Sequence, residues 1–137
     1  MYSFDPLTDN SAQVNIRWEK MKVPFTVEVK DVTALTLEKA RAAVAGAKPD
    51  DWRTPFQAAN FALQNKDAEE GMNWLDQSIK VKPTFQNLST KATALYKAGR
   101  KDEALVVAEQ AIAQGKTDKV DTANFEKRVA DMKAGKM

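Results

Sequence analysis

A pair of helical segments occurs twice in this chain at an offset of 33 positions, and this repeat limits the possible folds more than any other feature. The first copy runs from Trp52 to Pro83 and the second from Phe85 to Lys116. Each copy reads as a helix, a short polar turn and a second helix. Small or apolar residues recur at matching positions, namely Ala59 with Ala92, Ala62 with Leu95, Leu63 with Tyr96, Leu75 with Ala108, and Ser78 with Ala111. The second half is therefore predicted to be a short helical-repeat array, a class of fold that commonly binds other proteins.

Turn and cap residues support these helix limits. Gly99 is predicted to end the first helix of the second copy, because glycine accepts the left-handed backbone that closes a helix. Asn65 is predicted to take the corresponding role in the first copy, and Asp67 to cap the helix that follows. Pro83 ends the second helix of that copy.

Over residues 52–116 the chain resembles the tetratricopeptide repeat family. The second copy carries the matching residues Leu88, Ala92, Leu95, Tyr96, Gly99, Ala104 and Ala111. The first copy carries Pro55, Ala59, Ala62, Gly71, Leu75, Ser78 and Pro83. The period departs from the family's usual value of about 34, and Ala108 stands where a bulky residue is customary. We therefore describe the array as tetratricopeptide-like.

The N-terminal segment alternates apolar and polar residues with the two-residue period of β-strands. One predicted strand places Ala12, Val14, Ile16 and Trp18 on one face, and its partner does the same with Phe25, Val27 and Val29. This pattern predicts a β-hairpin with one buried side. An isolated hairpin is marginal in water, so its apolar face and edges need cover. The helices could supply it, and a homodimer formed by strand pairing through the hairpin edge is an alternative.

The same segment resembles the bacterial family called domain of unknown function 2911. The matching residues are Leu7, Thr8, Asp9, Asn10, Ser11 and Ala12, then Trp18, Glu19 and Lys20, then the run from Val23 to Val29, with Trp52, Arg53, Thr54 and Pro55 further on. The resemblance implies that this chain corresponds to the C-terminal part of such proteins, downstream of a β-rich domain. It also implies a periplasmic or exported location. The start of the chain has neither a basic segment nor an apolar core, so no signal peptide is predicted within it.

The predicted fold class is α+β, mainly α, with an N-terminal β-hairpin followed by a tetratricopeptide-like array of about six helices. The predicted domains are a β-hairpin region over 1–33 and a helical domain over 34–137. Within the latter we expect repeat units over about 52–83 and 85–116 and a capping helix over about 118–133. A further helix, LTLEKARAAVAGAK, is predicted between the hairpin and the repeats.

Composition excludes several kinds of active site. The chain has no cysteine and no histidine, which removes thiolate nucleophiles, zinc–thiolate sites and the commonest general base. The carboxylates of Asp50 and Asp51 are adjacent in sequence, as are those of Glu69 and Glu70, and adjacent helical side chains diverge rather than share an ion. We therefore predict no catalytic residue, no metal site and no cofactor, and we interpret the chain as noncatalytic.

Charge and hydropathy exclude two kinds of partner. The net charge of +2 is too small to indicate nucleic-acid binding, and Arg128 and its basic neighbours are interspersed with acidic residues, which indicates a solvated face. No segment approaches the roughly 20 apolar residues that span a bilayer, so membrane insertion is not predicted.

The concave side of such an array is the predicted contact surface for a protein or peptide partner. Its candidate residues are Arg53, Phe56, Asn60, Leu63 and Gln64, followed by Gln86, Ser89, Thr93, Tyr96 and Lys97. The competing interpretation is that Phe56, Leu63 and Tyr96 pack against neighbouring helices. Some tetratricopeptide domains hold a C-terminal carboxylate with lysine, asparagine and arginine, but only Asn60 fits that pattern here, so it is not predicted.

Three functional hypotheses follow. The leading one is a noncatalytic protein–protein interaction or scaffold module of a bacterial protein. The second is a C-terminal fragment of an enzyme or small-ligand-binding protein whose site lies in an absent β-domain. The third is self-assembly through the hairpin edge.

Overall fold

The computed structural model describes the backbone of residues 2–8, 11–18, 21–28 and 31–136, and the side chains from residue 31 to residue 136. The chain forms two compact units, Met1–Glu38 and Lys39–Met137. The predictions for residues 9, 10, 19, 20, 29 and 30 lie outside the described residues, as do those for the side chains of the N-terminal strands.

The N-terminal unit contains three strands that pair antiparallel in the order β1-β2-β3. They are β1 (Tyr2–Thr8), β2 (Ser11–Trp18) and β3 (Met21–Glu28). Tyr2 stands opposite Ile16, and Val14 stands opposite Phe25. The register of β1 shifts between Pro6 and Thr8.

The predicted fold class, α+β with an N-terminal two-stranded hairpin, is wrong in two respects: residues 31–136, most of the chain, form an all-α fold, and the described N-terminal strands form a sheet of three rather than a hairpin of two. From residue 31 to residue 136 every regular element is an α-helix, so this part of the chain is all-α. The described N-terminal strands number three, because Tyr2–Thr8 pairs along β2. This strand escaped the sequence analysis because Asp5 and Pro6 interrupt its alternation, and proline is tolerated only where a strand lies at an edge, as β1 does.

Six helices follow the strands in the described part of the chain. They are α1 (Val32–Ala45), α2 (Arg53–Gln64), α3 (Ala68–Val81), α4 (Phe85–Lys97), α5 (Lys101–Thr117) and α6 (Ala123–Lys133). Helices α2 and α3 form the first repeat, α4 and α5 form the second, and α6 follows as a further helix. None of these helices combines the length and apolar composition needed to cross a membrane.

The core of the helical unit confirms the repeat. Both members of five matching pairs of positions are buried. The pairs are Ala59 and Ala92, Ala62 and Leu95, Gly71 and Ala104, Leu75 and Ala108, and Ser78 and Ala111. Small side chains at these positions let the helices approach closely, and Phe125, Val129 and Met132 of α6 extend the core. The described helical unit is therefore a helical-repeat-like fold.

The turns within the two copies close with the same backbone hydrogen bond. The Arg100 amide donates to the Leu95 carbonyl at 3.0 Å, and the Asp67 amide donates to the Ala62 carbonyl at 2.9 Å. Gly99 has φ 82°, as predicted, but in the first copy the left-handed residue is Lys66 with φ 65°. Asn65 has φ −96°, so its predicted role is wrong. The closing bond spans six residues, and this register places the left-handed residue immediately before Asp67.

The helix starts are held by side chains. Asp67 caps α3 by accepting from the Glu70 amide at 3.2 Å, which confirms the predicted cap. Thr84 and Asn87 form a reciprocal capping box at the start of α4. The carboxylate of Asp51 accepts hydrogen bonds from the amides of Arg53 and Thr54, at 2.9 and 3.1 Å, and so caps α2 from one residue outside its N-cap.

Candidate binding groove

A groove lies between α2 and α4 and reaches α6, with a volume of about 560 Å³. Its walls combine amide and hydroxyl side chains with small apolar ones and two cations. The lining residues are Asn60, Leu63, Gln64, Ala68, Ser89, Thr90, Thr93, Ala94, Lys97, Ala98 and Arg128. We refer to this set of residues as the α2–α4 groove.

Five of the predicted surface residues meet in the α2–α4 groove. Asn60 and Gln64 come from α2, and Ser89, Thr93 and Lys97 come from α4. Two pairs, Asn60 with Thr93 and Gln64 with Lys97, occupy matching positions of the repeat. Because the two first helices of the repeats present the same face, matching positions line the same groove. Leu63, whose predicted contact role competed with packing, also lines it and is half-buried.

The other four predicted residues do not line the groove; they are Arg53, Phe56, Gln86 and Tyr96. Arg53 is exposed, and its guanidinium carbon lies 5.5 Å from the centre of the Trp52 ring. Phe56 is half-buried, with its ring 6.0 Å from that of Trp52. Gln86 is exposed at the start of α4, where its carbonyl accepts from the Ser89 hydroxyl.

Tyr96 belongs to the core rather than to the groove. It is 8 % exposed and packs with Leu95, Ala104 and Met132. Its hydroxyl is buried, and no group among the residues that the structure describes forms a hydrogen bond with it. For this residue the structure agrees with the competing interpretation, in which the side chain packs between helices.

Arg128 is the groove residue that sequence reasoning missed. It comes from α6, which lies outside the two repeat copies, and its charge was interpreted as part of a solvated face. The guanidinium Nη2 donates to Thr93 Oγ1 at 3.4 Å, while the guanidinium carbon lies 6.0 Å from the centre of the Phe125 ring. The signal that could have found it is the chain order, since α6 follows α5 as α4 follows α3 and so continues the wall.

The charge that lines the groove is positive. Lys97 and Arg128 are its charged lining residues, and no aspartate or glutamate lines it in the described part of the chain. Thr93 joins α4 to α6, because its hydroxyl accepts from Arg128 of α6 while it donates to the Ser89 carbonyl within α4 at 2.9 Å. The groove can therefore offer hydrogen-bond donors, acceptors and positive charge to one bound segment.

The groups whose pKa values are shifted lie away from the groove. The Thr54 hydroxyl, followed by the Thr54 amide, lowers the pKa of Asp51 by hydrogen bonding. The Arg100–Glu103 hydrogen bonds raise the pKa of Arg100 and lower that of Glu103. These shifts belong to a helix cap and an exposed ion pair. Among residues 31–136 there is no group of three acidic side chains that could hold a metal ion.

Comparisons with known proteins add no relative: no family model matches the chain, and no curated protein does. The resemblance to the domain of unknown function 2911 family therefore stays a prediction, as does the location that it implies. The same holds for the resemblance to tetratricopeptide repeats beyond the helical-repeat-like fold itself.

Proposed function

We propose that this chain is a noncatalytic protein-interaction module whose α2–α4 groove holds an extended segment of a partner protein. The observation that carries the proposal is the convergence of Asn60, Gln64, Ser89, Thr93 and Lys97 on one groove. These residues come from two helices that the repeat places side by side. Residues that were predicted from the geometry of the repeat therefore form one continuous surface.

The chemistry of the groove suits a peptide backbone. Asn60 and Gln64 each carry an amide that can donate and accept, so each can pair with a main-chain N–H or C=O of an extended segment. Small side chains, Ala68, Ala94 and Ala98, leave room for the backbone to approach the groove wall. Leu63 adds an apolar contact for a side chain of the bound segment.

A test begins with selection of peptides from a random displayed library against the purified chain. The affinity of the best peptide is then measured for the chain and for the double variant Asn60→Ala with Gln64→Ala. We expect a rise in Kd of about tenfold, because each lost hydrogen bond contributes about 0.5 to 1.5 kcal/mol. The matched control is Gln77→Ala with Gln110→Ala. These two exposed glutamines occupy matching positions on α3 and α5, outside the groove lining.

The control pair should bind the selected peptide like the unmodified chain. Thermal unfolding of both double variants shows whether the fold is retained. If the groove variant binds as tightly as the control, or if selection yields no peptide, the proposed function is wrong.

A further inference from the structure

We propose that the segment held by the α2–α4 groove is acidic, with aspartate or glutamate side chains placed against Lys97 and Arg128. This inference rests on the proposed function and adds the chemical class of the partner. The groove is lined by two cations, and Arg128 contacts Thr93 within it.

The two groove cations differ from five basic residues of the helical unit that have carboxylate partners, and resemble others, such as Lys80 and Lys127, that form no ion pair within residues 31–136. Those five have carboxylate partners: Arg41 with Glu70, Lys91 with Asp76, Arg100 with Glu103, Lys116 with Glu126, and Lys133 with Glu109. Across residues 31–136, no carboxylate forms an ion pair with Lys97 or Arg128. A bound carboxylate would therefore meet positive charge without displacing an internal partner.

Lys97 alone does not indicate an acidic partner. It stands in the last turn of α4, where a cation is favoured by the helix dipole whatever the groove binds. The helix dipole does not account for the position of Arg128, because this residue lies in the middle of α6. Its position beside the groove is the stronger observation.

The Arg128 guanidinium makes one long hydrogen bond, of 3.4 Å, and keeps its other donors. One nitrogen donates to Thr93 Oγ1, and the cation lies near the face of Phe125. The Thr93 hydroxyl proton is already given to the Ser89 carbonyl, so its oxygen is free to accept from Arg128. A guanidinium has five N–H donors, and those not used by Thr93 can pair with a carboxylate.

An acidic peptide fits the groove better than the other common polyanion, a single-stranded nucleic acid. Nucleic-acid grooves of that kind combine cations with aromatic side chains on which bases stack. The lining residues of the α2–α4 groove include no aromatic side chain in the described part of the chain. The amide and alanine walls suit a peptide backbone instead.

The test is a titration of the isotope-labelled chain, followed by the backbone amide signals in NMR spectra. The probe is the peptide acetyl-Gly-Glu-Ala-Glu-Ala-Glu-Gly-amide, whose blocked ends leave side-chain carboxylates as its anions. The same peptide with glutamine in place of glutamate is the matched neutral probe. An unblocked glutamine peptide tests a chain-end carboxylate, and oligothymidylate tests nucleic acid.

We expect the glutamate peptide to shift the amides of Thr93, Lys97 and Arg128 and to bind about tenfold more tightly than the glutamine peptide. The variant Lys97→Gln with Arg128→Gln should lose about tenfold in affinity, since it removes two exposed ion pairs that each contribute about threefold. The control Lys80→Gln with Lys127→Gln removes the same charge from exposed positions outside the groove and should change affinity less than twofold.

Several outcomes would overturn the inference. These are equal binding of the glutamate and glutamine peptides, equal losses in the two double variants, preference for oligothymidylate, binding of the glutamine peptide only with a free C-terminus, or no shift at the groove.

The two proposals, a peptide-binding groove and an acidic partner, can fail separately. If library-selected peptides depend on Asn60 and Gln64 without any preference for acidic residues, the proposed function stands and the acidic partner does not.

Discussion

The side chains of Asn87 and Ser78 are both completely buried and joined by a hydrogen bond, in which Asn87 Nδ2 donates to Ser78 Oγ at 3.1 Å. Ser78 in turn donates to the Trp52 carbonyl at 2.7 Å. Asn87 also donates to the Lys82 carbonyl and accepts from the Thr84 amide. This one network therefore ties the start of α2 to α3, to the following loop and to α4.

The first prediction concerns this network. We expect Asn87→Ala to lower the free energy of unfolding by about 2 to 4 kcal/mol, because it leaves several buried polar groups without partners. Urea unfolding followed by circular dichroism measures the change. The control is Gln86→Ala, one residue earlier and exposed, with an expected effect within about 0.5 kcal/mol. Equal effects of the two substitutions would show that the network does not hold the repeats together.

The second prediction concerns the close approach of α5 to its neighbours at Gly115. A Cβ at this position would clash with Thr122 Cγ2 and would lie 2.9 Å from Phe85 Cδ2. We expect Gly115→Ala to destabilise the fold by about 1 to 3 kcal/mol through overpacking. Alanine's better helix propensity, about 1 kcal/mol, offsets only part of this loss.

Gly46→Ala is the matched control for Gly115→Ala. The nearest atom to a Cβ at Gly46 is 3.5 Å away, so alanine fits there. Thermal unfolding should show a lower Tm for the Gly115 variant and an unchanged or higher Tm for the Gly46 variant. A Gly115 variant as stable as the unmodified chain would contradict the observed packing of Thr122 and Phe85.

The third prediction concerns pH. The hydrogen bonds from Thr54 hold the pKa of Asp51 below its ordinary value of 3.8. A carboxylate with a lowered folded-state pKa stabilises the fold fully above the unfolded-state pKa, and this stabilisation is lost as the pH falls through the folded-state pKa. The stability difference between the chain and Asp51→Ala should therefore be constant near neutral pH and shrink as the pH falls below 3.8.

Urea unfolding across that pH range measures the Asp51 effect. Asp50→Ala serves as the control, because the neighbouring Asp50 makes no capping hydrogen bond in the part of the chain that the structure describes. If the stability difference for Asp51→Ala stays constant down to the lowest pH, the cap does not act through its charge.

The helical repeat was predictable because its core positions require small residues. Ala59 and Ala92 could be recognised from sequence, since close helix packing leaves few alternatives at a buried position. Tyr96 was harder to place, because a tyrosine at helical spacing suits a groove and a core equally well. Its burial among Leu95, Ala104 and Met132 depends on α6, which the repeat pattern does not include.

The groove was predictable only in part, and for a similar reason. Asn60 and Thr93 lie at matching repeat positions, so their shared face follows from the period. Arg128 joins them through the packing of Phe125 and Val129, which is a tertiary effect. At the N-terminus, Pro6 hid a strand because the alternation of apolar residues breaks around it.

An NMR shift map of the labelled chain with a library-selected peptide locates the binding surface on the helical unit. We expect the largest shifts on the amides of Asn60, Gln64 and Thr93, with smaller ones on α6. Shifts confined to the outer faces of α3 and α5, around Gln77 and Gln110, would contradict this prediction and place the interaction surface elsewhere.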